Sequence, residues 1–378
     1  MLYRKFGKLD FQVSNLGFGC MRFPVLDNDN GKIDEVEAIR MLRYAIDNGV
    51  NYVDTAYPYH QGNSEPLVAK ALKDGYREKV KLATKLPVWL CRTYEDFDKY
   101  LNEQLEKLET EYVDFYLLHS LSKKSWTNAK DLGVLDFLDR ALWDGRIKYA
   151  GFSFHDDIDT FKEIVNSYDW TFCQIQLNYM DENYQAGLEG LRYAAEKELA
   201  IIIMEPIKGG KLAKEPEGDF KELWEKSRVK MTPAELALRW VWNQPEVALL
   251  LSGMSTMEQV EENIKTASTA LPNSLKPNEI KLINDIKDIY NSRNKVGCTS
   301  CRYCVPCPNN IAIPNIFEIY NNYFVYDMVT WGKKAYENMI NAGTDSTKCI
   351  ECGQCESICP QNIEIIHHLK EADLVLRK

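Results

Sequence analysis

The sequence predicts an α/β protein: a (β/α)8 TIM barrel followed by a smaller, mostly helical, cysteine-rich domain. Short apolar runs alternate with amphipathic helical patterns, the signature of a parallel sheet covered by helices. Eight such strand-then-helix units fall between about residues 14 and 268, the size at which a sheet of this kind closes on itself. Eight of the eleven cysteines lie after residue 297, in two short clusters. The expected boundaries are 1–275 for the barrel, 276–294 for a helical connector and 295–378 for the cysteine-rich domain.

Composition narrows the function. A chain of 378 residues with 45% apolar content can bury a large core. A formal charge of −10 argues against broad electrostatic attachment to nucleic acid or anionic lipid. There is no apolar run of roughly 18 residues to span a bilayer, and no apolar stretch follows the basic start. The expectation is therefore a cytoplasmic protein with no nucleic-acid or membrane partner. Disulfides are disfavoured in that compartment, so the clustered thiols read as metal ligands. Cys20, Cys91 and Cys173 are scattered and read as interior residues.

Taken in order, residues 1–13 suggest a small hairpin around Gly7-Lys8. Leu16–Met21 reads as the first barrel strand. Asp34-Glu35-Val36-Glu37 opens a helix with a capping-box pattern and places Val36, Ile39, Leu42 and Ile46 on one face. A strand from Asn51 is followed by a helix from Ser64. The strand ending at Lys85 precedes a helix with Phe97, Leu101, Leu105 and Leu108 inward, and the strand ending at His119 precedes a helix over 134–142. Later strands are read at 149–153, 172–177, 200–205 and 248–252. The competing open sheet wants a Gly-rich dinucleotide turn, but Gly17-Phe18-Gly19-Cys20-Met21-Arg22 has arginine at the third glycine position.

Three strands end in ionisable groups. Asn51-Tyr52-Val53-Asp54 leads to Asp54 and, five positions on, Tyr59; the next two deliver Lys85 and His119. Such residues at strand C-termini line the active face of a barrel enzyme. A tyrosine is a weak acid near neutrality, but an adjacent ammonium stabilises the phenolate it leaves behind. Asp54 would hold Lys85 charged and oriented, and His119 would hydrogen-bond the substrate oxygen. This set suits protonation of an oxygen whose carbon receives a hydride, which is reduction of a small-molecule carbonyl substrate. No side chain supplies a hydride, so a nicotinamide cofactor is required. Tyr57, His60 and Trp89 are expected along the substrate pocket.

The chain resembles the aldo-keto reductase superfamily over about residues 1–270, through Asp54-Thr55-Ala56 followed by Tyr59, with Lys85 and His119 at the other two tetrad positions. The resemblance implies NADP or NAD as cofactor and Tyr59 as proton donor. It implies that Ser153 and Gln176 meet the nicotinamide carboxamide, that Met204 stands where a ring stacks on the nicotinamide, that Glu205, Pro206, Ile207 and Gly209 form a pyrophosphate loop, and that Gly19, Cys20 and Met21 also bind the cofactor. Ser255, Gln259, Glu262 and Asn263 fall in the adenosine segment. Three departures stand out: Phe154 replaces the family's usual asparagine, Met204 a stacking aromatic, and Gly253 and Gln259 the basic residues of members that prefer a 2′-phosphate.

The tail carries Cys298-x2-Cys301-x2-Cys304-x2-Cys307-Pro308 and Cys349-x2-Cys352-x2-Cys355-x3-Cys359-Pro360. The second has the bacterial ferredoxin spacing; the first is one residue shorter. The two form a short repeat, with Cys307-Pro308-Asn309-Asn310-Ile311 echoed by Cys359-Pro360-Gln361-Asn362-Ile363. The expectation is a ferredoxin-like iron-sulfur domain with two [4Fe-4S] clusters, one on Cys298, Cys301, Cys304 and Cys359, the other on Cys349, Cys352, Cys355 and Cys307. Zinc and a single cluster are the competing readings. Clusters pass single electrons whereas a nicotinamide passes a pair, so three functions stay open: a carbonyl reductase with structural or regulatory clusters, an oxidoreductase coupled to a ferredoxin or flavoprotein electron partner, and a nucleotide-binding sensor or subunit without turnover.

Overall fold

The computed structural model describes residues 1–325 and 328–377. These fall into two compact units, 1–206 with 237–274, and 207–236 with 275–378. In the first, β1 (Tyr3–Lys5) and β2 (Gln12–Ser14) pair as the expected antiparallel hairpin. Eight parallel strands follow: β3 (Leu16–Gly19), β4 (Tyr52–Asp54), β5 (Lys81–Leu86), β6 (Val113–Leu121), β7 (Ile147–Phe154), β8 (Phe172–Gln176), β9 (Ala200–Met204) and β10 (Val247–Gly253). They close into a barrel in sequence order, with β10 pairing back onto β3. Consecutive parallel strands of near-wholly buried residues give this topology because each crossover needs a helix, and the helices cover the outer face.

One end of the barrel is sealed. Phe6 and Phe11, which lie between β1 and β2, stack at 5.5 Å, and Phe6 sits 4.8 Å from Phe115 and 5.9 Å from Phe172. Phe115 and Phe172 stand at the N-terminal ends of β6 and β8. This aromatic layer supplies much of the apolar burial there, roughly 1.5–3 kcal/mol per fully buried side chain. The C-terminal strand ends are thus left to carry chemistry.

The helices follow their expected faces with one exception. In Glu35–Asp47, Asp34 accepts from the Glu37 amide at 3.1 Å, the predicted N-cap, but Val36 is 81% exposed. Ala38, Met41, Leu42, Ala45 and Ile46 form the buried stripe instead. Val36 falls in the first turn, one step outside that stripe. Helix Glu95–Lys107 buries Phe97, Leu101 and Leu105 as predicted, but Gln104 is buried among them.

The second unit is helical around its cysteines. Helices Pro277–Arg293, Ile313–Val325, Val329–Ala342 and Ile365–Leu376 belong to it. Ile313, Ile316, Phe317, Tyr320, Tyr336, Ile365 and Leu369 form its core, and cysteines of both motifs pack against that core. Among the described residues no helix is long and apolar enough to cross a membrane.

Candidate active site

Four predicted side chains meet where β4, β5 and β6 end. Lys85 is completely buried, and its Nζ donates to Asp54 Oδ1 at 2.6 Å, to the Thr55 carbonyl at 2.9 Å and to the Tyr59 hydroxyl at 3.1 Å. Burial works against both members of the ion pair, lowering the Lys85 pKa and raising that of Asp54, while each charge favours the other. The contact is a short, charge-assisted one, and Asp54 Oδ2 is buried with no partner of its own.

Tyr59 begins the short helical turn Tyr59–Gly62, and its ring stands edge-on to His119 at 6.0 Å. Burial is the largest influence on its phenol and pushes the pKa well above the ordinary value, with Asp54, Cys20 and Glu205 adding to it and Arg22 opposing. At rest the phenol is therefore protonated, and the stabilisation expected from the neighbouring ammonium applies to the phenolate left by proton transfer. Burial, helped by Lys85 and His155, drives the His119 pKa well below its usual value, so the imidazole is neutral near pH 7.

A break in strand pairing aims His119. The β6–β7 register shifts between Leu118 and Leu121, and Ser120 takes a left-handed φ of 56° with its amide donating to Ser153 Oγ at 2.7 Å. Such an irregularity re-aims the side chain beside it. Trp89 lies 5.0 Å from His119, as a pocket residue should. The other two expected pocket residues are engaged elsewhere. Tyr57 donates to Glu103 at 3.0 Å, and His60 accepts from the Phe23 amide at 3.2 Å while its other nitrogen meets the Asn30 carbonyl at 2.9 Å.

A buried polar layer behind Lys85 had no sequence signal beyond its residue types. Gln104 Nε2 donates to the Lys85 carbonyl at 3.0 Å and to Glu65 Oε1 at 2.7 Å, Thr84 donates to that same oxygen at 2.7 Å, and Tyr116 donates to Gln104 Oε1 at 2.8 Å. This network pins the backbone from which Lys85 projects. Glu65 Oε2 has no partner in it, but removing a member of a buried network of this kind is costly.

Within the first unit, several residues expected at the cofactor lie at the C-terminal ends of other strands, Ser153 on β7, Gln176 on β8 and Met204 on β9 among them. Gly19 closes β3, and Cys20 and Met21 open the turn Cys20–Arg22. The Cys20 thiol is buried and held far above its usual pKa, first by that burial. Gln176 donates to Asp181 at 3.0 Å and Asn178 does so at 2.9 Å; Asn178 and Asp181 were not anticipated. Gln174 Nε2 lies 3.4 Å from the Met204 sulfur. Glu205 takes a left-handed φ of 56° and Pro206 follows it. Ser255 donates its hydroxyl to the Arg22 carbonyl at 2.8 Å and its amide to Gln259 at 2.8 Å. Asn263 is buried and donates to Ser252 at 3.1 Å; Glu262 neighbours it on helix Met257–Ala267. Arg22, also unanticipated, packs its stem against Gly253, and its Nη2 is buried without a partner. Ile207 and Gly209 belong to the second unit, where Gly209 adopts φ 65°.

In the second unit the two cysteine motifs repeat each other's backbone. Ser300 and Glu351, each two residues past the first cysteine, are left-handed and direct their amides to Cys298 Sγ and Cys349 Sγ at 3.4 Å in both cases. Arg302 and Gly353 are left-handed two residues further on. Asn310 and Asn362, left-handed again, donate amides to the Cys307 and Cys359 carbonyls. Cys307 lines one cavity with Cys349, Cys352 and Cys355, which Cys304 also borders. Burial pushes the Cys304 pKa up to about 12, with Cys298, Cys359 and Cys355 adding to it. Amides directed at sulfur and thiols gathered around common points suit sulfur-ligated metal. The three scattered cysteines are all buried, as expected.

Residues 15–287 match the model of the Aldo/keto reductase family, and residues 297–364 that of a 4Fe-4S dicluster domain. The chain is 27% identical over 302 residues to "Probable aldo-keto reductase 1" of Glycine max, spanning 71% of this chain and 84% of that protein. It is 26% identical over 302 residues to the NADH-specific methylglyoxal reductase of Escherichia coli (strain K12), spanning 68% and 91%. The holo form of an aldo-keto reductase from Bacillus halodurans superposes with a TM-score of 0.63 at 26% identity, covering 75% of this chain and 96% of that one. An aldo-keto reductase from Klebsiella pneumoniae in complex with NADPH has the same barrel fold, with a TM-score of 0.61 at 20% identity over 76% of this chain and 96% of that one.

Proposed function

This chain belongs to the aldo/keto reductase family and is an NAD(P)-dependent oxidoreductase that also carries a 4Fe-4S domain; from that premise we propose that it reduces an aldehyde or ketone to an alcohol, with Tyr59 as general acid. The observation that carries this reading is the buried contact of Lys85 with both Asp54 and Tyr59.

When bound, the nicotinamide supplies the hydride to the carbonyl carbon. The chain's own residues manage the oxygen. Tyr59, protonated at rest because it is buried, gives up its proton as negative charge gathers on that oxygen. The phenolate left behind sits 3.1 Å from the Lys85 ammonium, so Lys85 stabilises the product of proton transfer more than its starting state. That is the differential interaction catalysis requires. Asp54 and the Thr55 carbonyl hold the ammonium in place. His119, neutral and buried, donates an N–H to the same oxygen without adding charge, and Trp89 covers the imidazole.

The residues fit a dinucleotide. Arg22 offers a buried guanidinium nitrogen without a partner, suited to a phosphate. Gly253 leaves room for the Arg22 stem, since a Cβ there would meet it at 3.1 Å. Gly19, Cys20, Met21, Ser153, Gln176 and Met204 would bound the nicotinamide; Glu205 and Pro206 the pyrophosphate; Ser255, Gln259, Glu262 and Asn263 the adenosine.

In the 295–378 domain, Cys298, Cys301, Cys304 and Cys359 would hold one [4Fe-4S] cluster, and Cys349, Cys352, Cys355 and Cys307 the other. The influence of Cys359 on Cys304 and the cavity shared by Cys307 with the second triplet support this exchange of fourth ligands. The function is tested by following NADH and NADPH oxidation anaerobically over a panel of aldehydes, ketones and α-oxoaldehydes. Turnover of at least one carbonyl class is expected; a purified, iron-replete protein that binds cofactor but turns over none of them contradicts the reading.

A further inference from the structure

The two cysteine motifs share a backbone pattern but not an electrostatic setting. In the second unit, the ammonium of Lys211 donates a hydrogen bond directly to the carbonyl oxygen of Cys298. The lysine is largely withdrawn from solvent: burial disfavours its charge, and the proximity of Cys298 and Glu318 favours it. Two further lysines of the same loop, Lys208 and Lys214, act on it electrostatically, and Lys214 is itself paired with Glu318 at 2.8 Å. The second motif has a different arrangement. There Lys370 pairs with Glu351 at 2.7 Å, and both side chains are more than half exposed. An exposed pair of that kind is screened and self-neutralised, whereas a charge out of water acts at low effective dielectric.

We propose that Lys211 sets the reduction potential of the cluster that Cys298 helps to hold, so that two clusters with matching backbone cradles are made electronically unequal. The inference rests on the ligand reading given above. Adding one electron to a [4Fe-4S] cluster raises its negative charge by one, and a fixed ammonium against a ligand's carbonyl stabilises that reduced form more than the oxidised one. Lys211 is a positioning and tuning residue here; it holds no iron.

The test is an anaerobic potentiometric titration followed by electron paramagnetic resonance. It uses the full-length, iron-replete protein, with dithionite as the one-electron reductant, and compares wild type with Lys211→Gln and Lys211→Arg. Glutamine keeps an N–H donor for the Cys298 carbonyl but removes the charge. The expected result is that one of two cluster signals becomes harder to reduce by about tenfold in its reduction equilibrium, which for one electron is 59 mV. The other signal stays in place, and Lys211→Arg stays near wild type. Unchanged potentials in Lys211→Gln with both clusters present overturn the proposal, as does an equal shift of both signals. Failure of the ligand reading looks different: the wild-type protein then holds no iron or gives no cluster signal. If Lys211→Gln loses iron, the contact is structural and the tuning role is likewise refuted.

Discussion

Replacing Lys85 with methionine is a sharp perturbation of the barrel, because the side chain is wholly buried and its ammonium is 2.6 Å from an equally buried carboxylate. Methionine fills most of the volume, so cavity formation contributes little. What remains is Asp54 without its cation, one oxygen of which already has no partner. Removing one member of a buried ion pair costs about 3–5 kcal/mol, on the order of 10 °C in the barrel's unfolding midpoint. The penalty depends on pH. Burial holds the Asp54 carboxyl above its unfolded value of about 3.9, and without Lys85 that elevation grows. A group whose pKa is raised in the fold gives stability that is complete below the unfolded pKa and lost as pH rises through the folded pKa. The destabilisation of Lys85→Met should therefore be small near pH 4 and grow towards pH 8. Urea unfolding followed by tryptophan fluorescence across that range measures it. Asp54→Asn combined with Lys85→Met should recover a large part of the loss, a coupling well beyond additivity. A penalty independent of pH, or a double variant as unstable as the two single losses summed, would refute the buried-pair argument.

Other consequences can be measured alongside it. Because His119 is held well below its usual pKa by burial and by Lys85, the reduction rate should show no titration near pH 6.5. The fold should also lose stability as pH falls below about 6.5, since the unfolded chain then takes up a proton the buried imidazole refuses; a rate inflection at that pH that vanishes in His119→Gln would contradict this. Cys307→Ser should disturb the same cluster signal as Cys352→Ser and leave the signal affected by Cys301→Ser intact. Cys301→Ser and Cys307→Ser removing the same signal would show that each motif closes its own cluster. Excess NAD(P)H alone should leave the visible absorbance of the clusters unbleached under anaerobic conditions, because a hydride carries two electrons together and passes them to one-electron centres only through a two-step mediator such as a flavin. Bleaching without added flavin would favour the electron-transfer function instead.

The barrel and its tetrad were legible because both are written locally. Apolar strand runs set the sheet, and an ionisable residue directly after such a run has few places to go except the strand's C-terminal end. Asp54, Lys85 and His119 are of this kind. Tyr59 was read from its offset to Asp54, which the turn at Tyr59–Gly62 preserves. What was not legible depends on partners distant in sequence. Tyr57 and His60 look like pocket residues until Glu103 and the Phe23 amide occupy them. Gln104 looks like a surface residue until Tyr116, Glu65 and the Lys85 carbonyl satisfy it from three other elements. How firmly burial holds Tyr59 protonated at rest was not legible, because a sequence shows the neighbouring lysine but not the depth of burial. Arg22 was seen only as a missing glycine, and its unpaired nitrogen becomes visible once β3 and β10 are adjacent. The paired left-handed residues of the two cysteine motifs were half legible: the thiols repeat in sequence, but Ser300 and Glu351 share a conformation rather than a residue type.

Tyr59→Phe tests the proton donor most directly, because it removes one hydroxyl and leaves the Asp54–Lys85 pair and the barrel untouched. With a carbonyl substrate found for the wild type, kcat/KM for its reduction should fall by about 10²–10⁴, while the dissociation constant for the nicotinamide cofactor stays within about twofold. Turnover of Tyr59→Phe within a few-fold of wild type would mean that some other group protonates the oxygen.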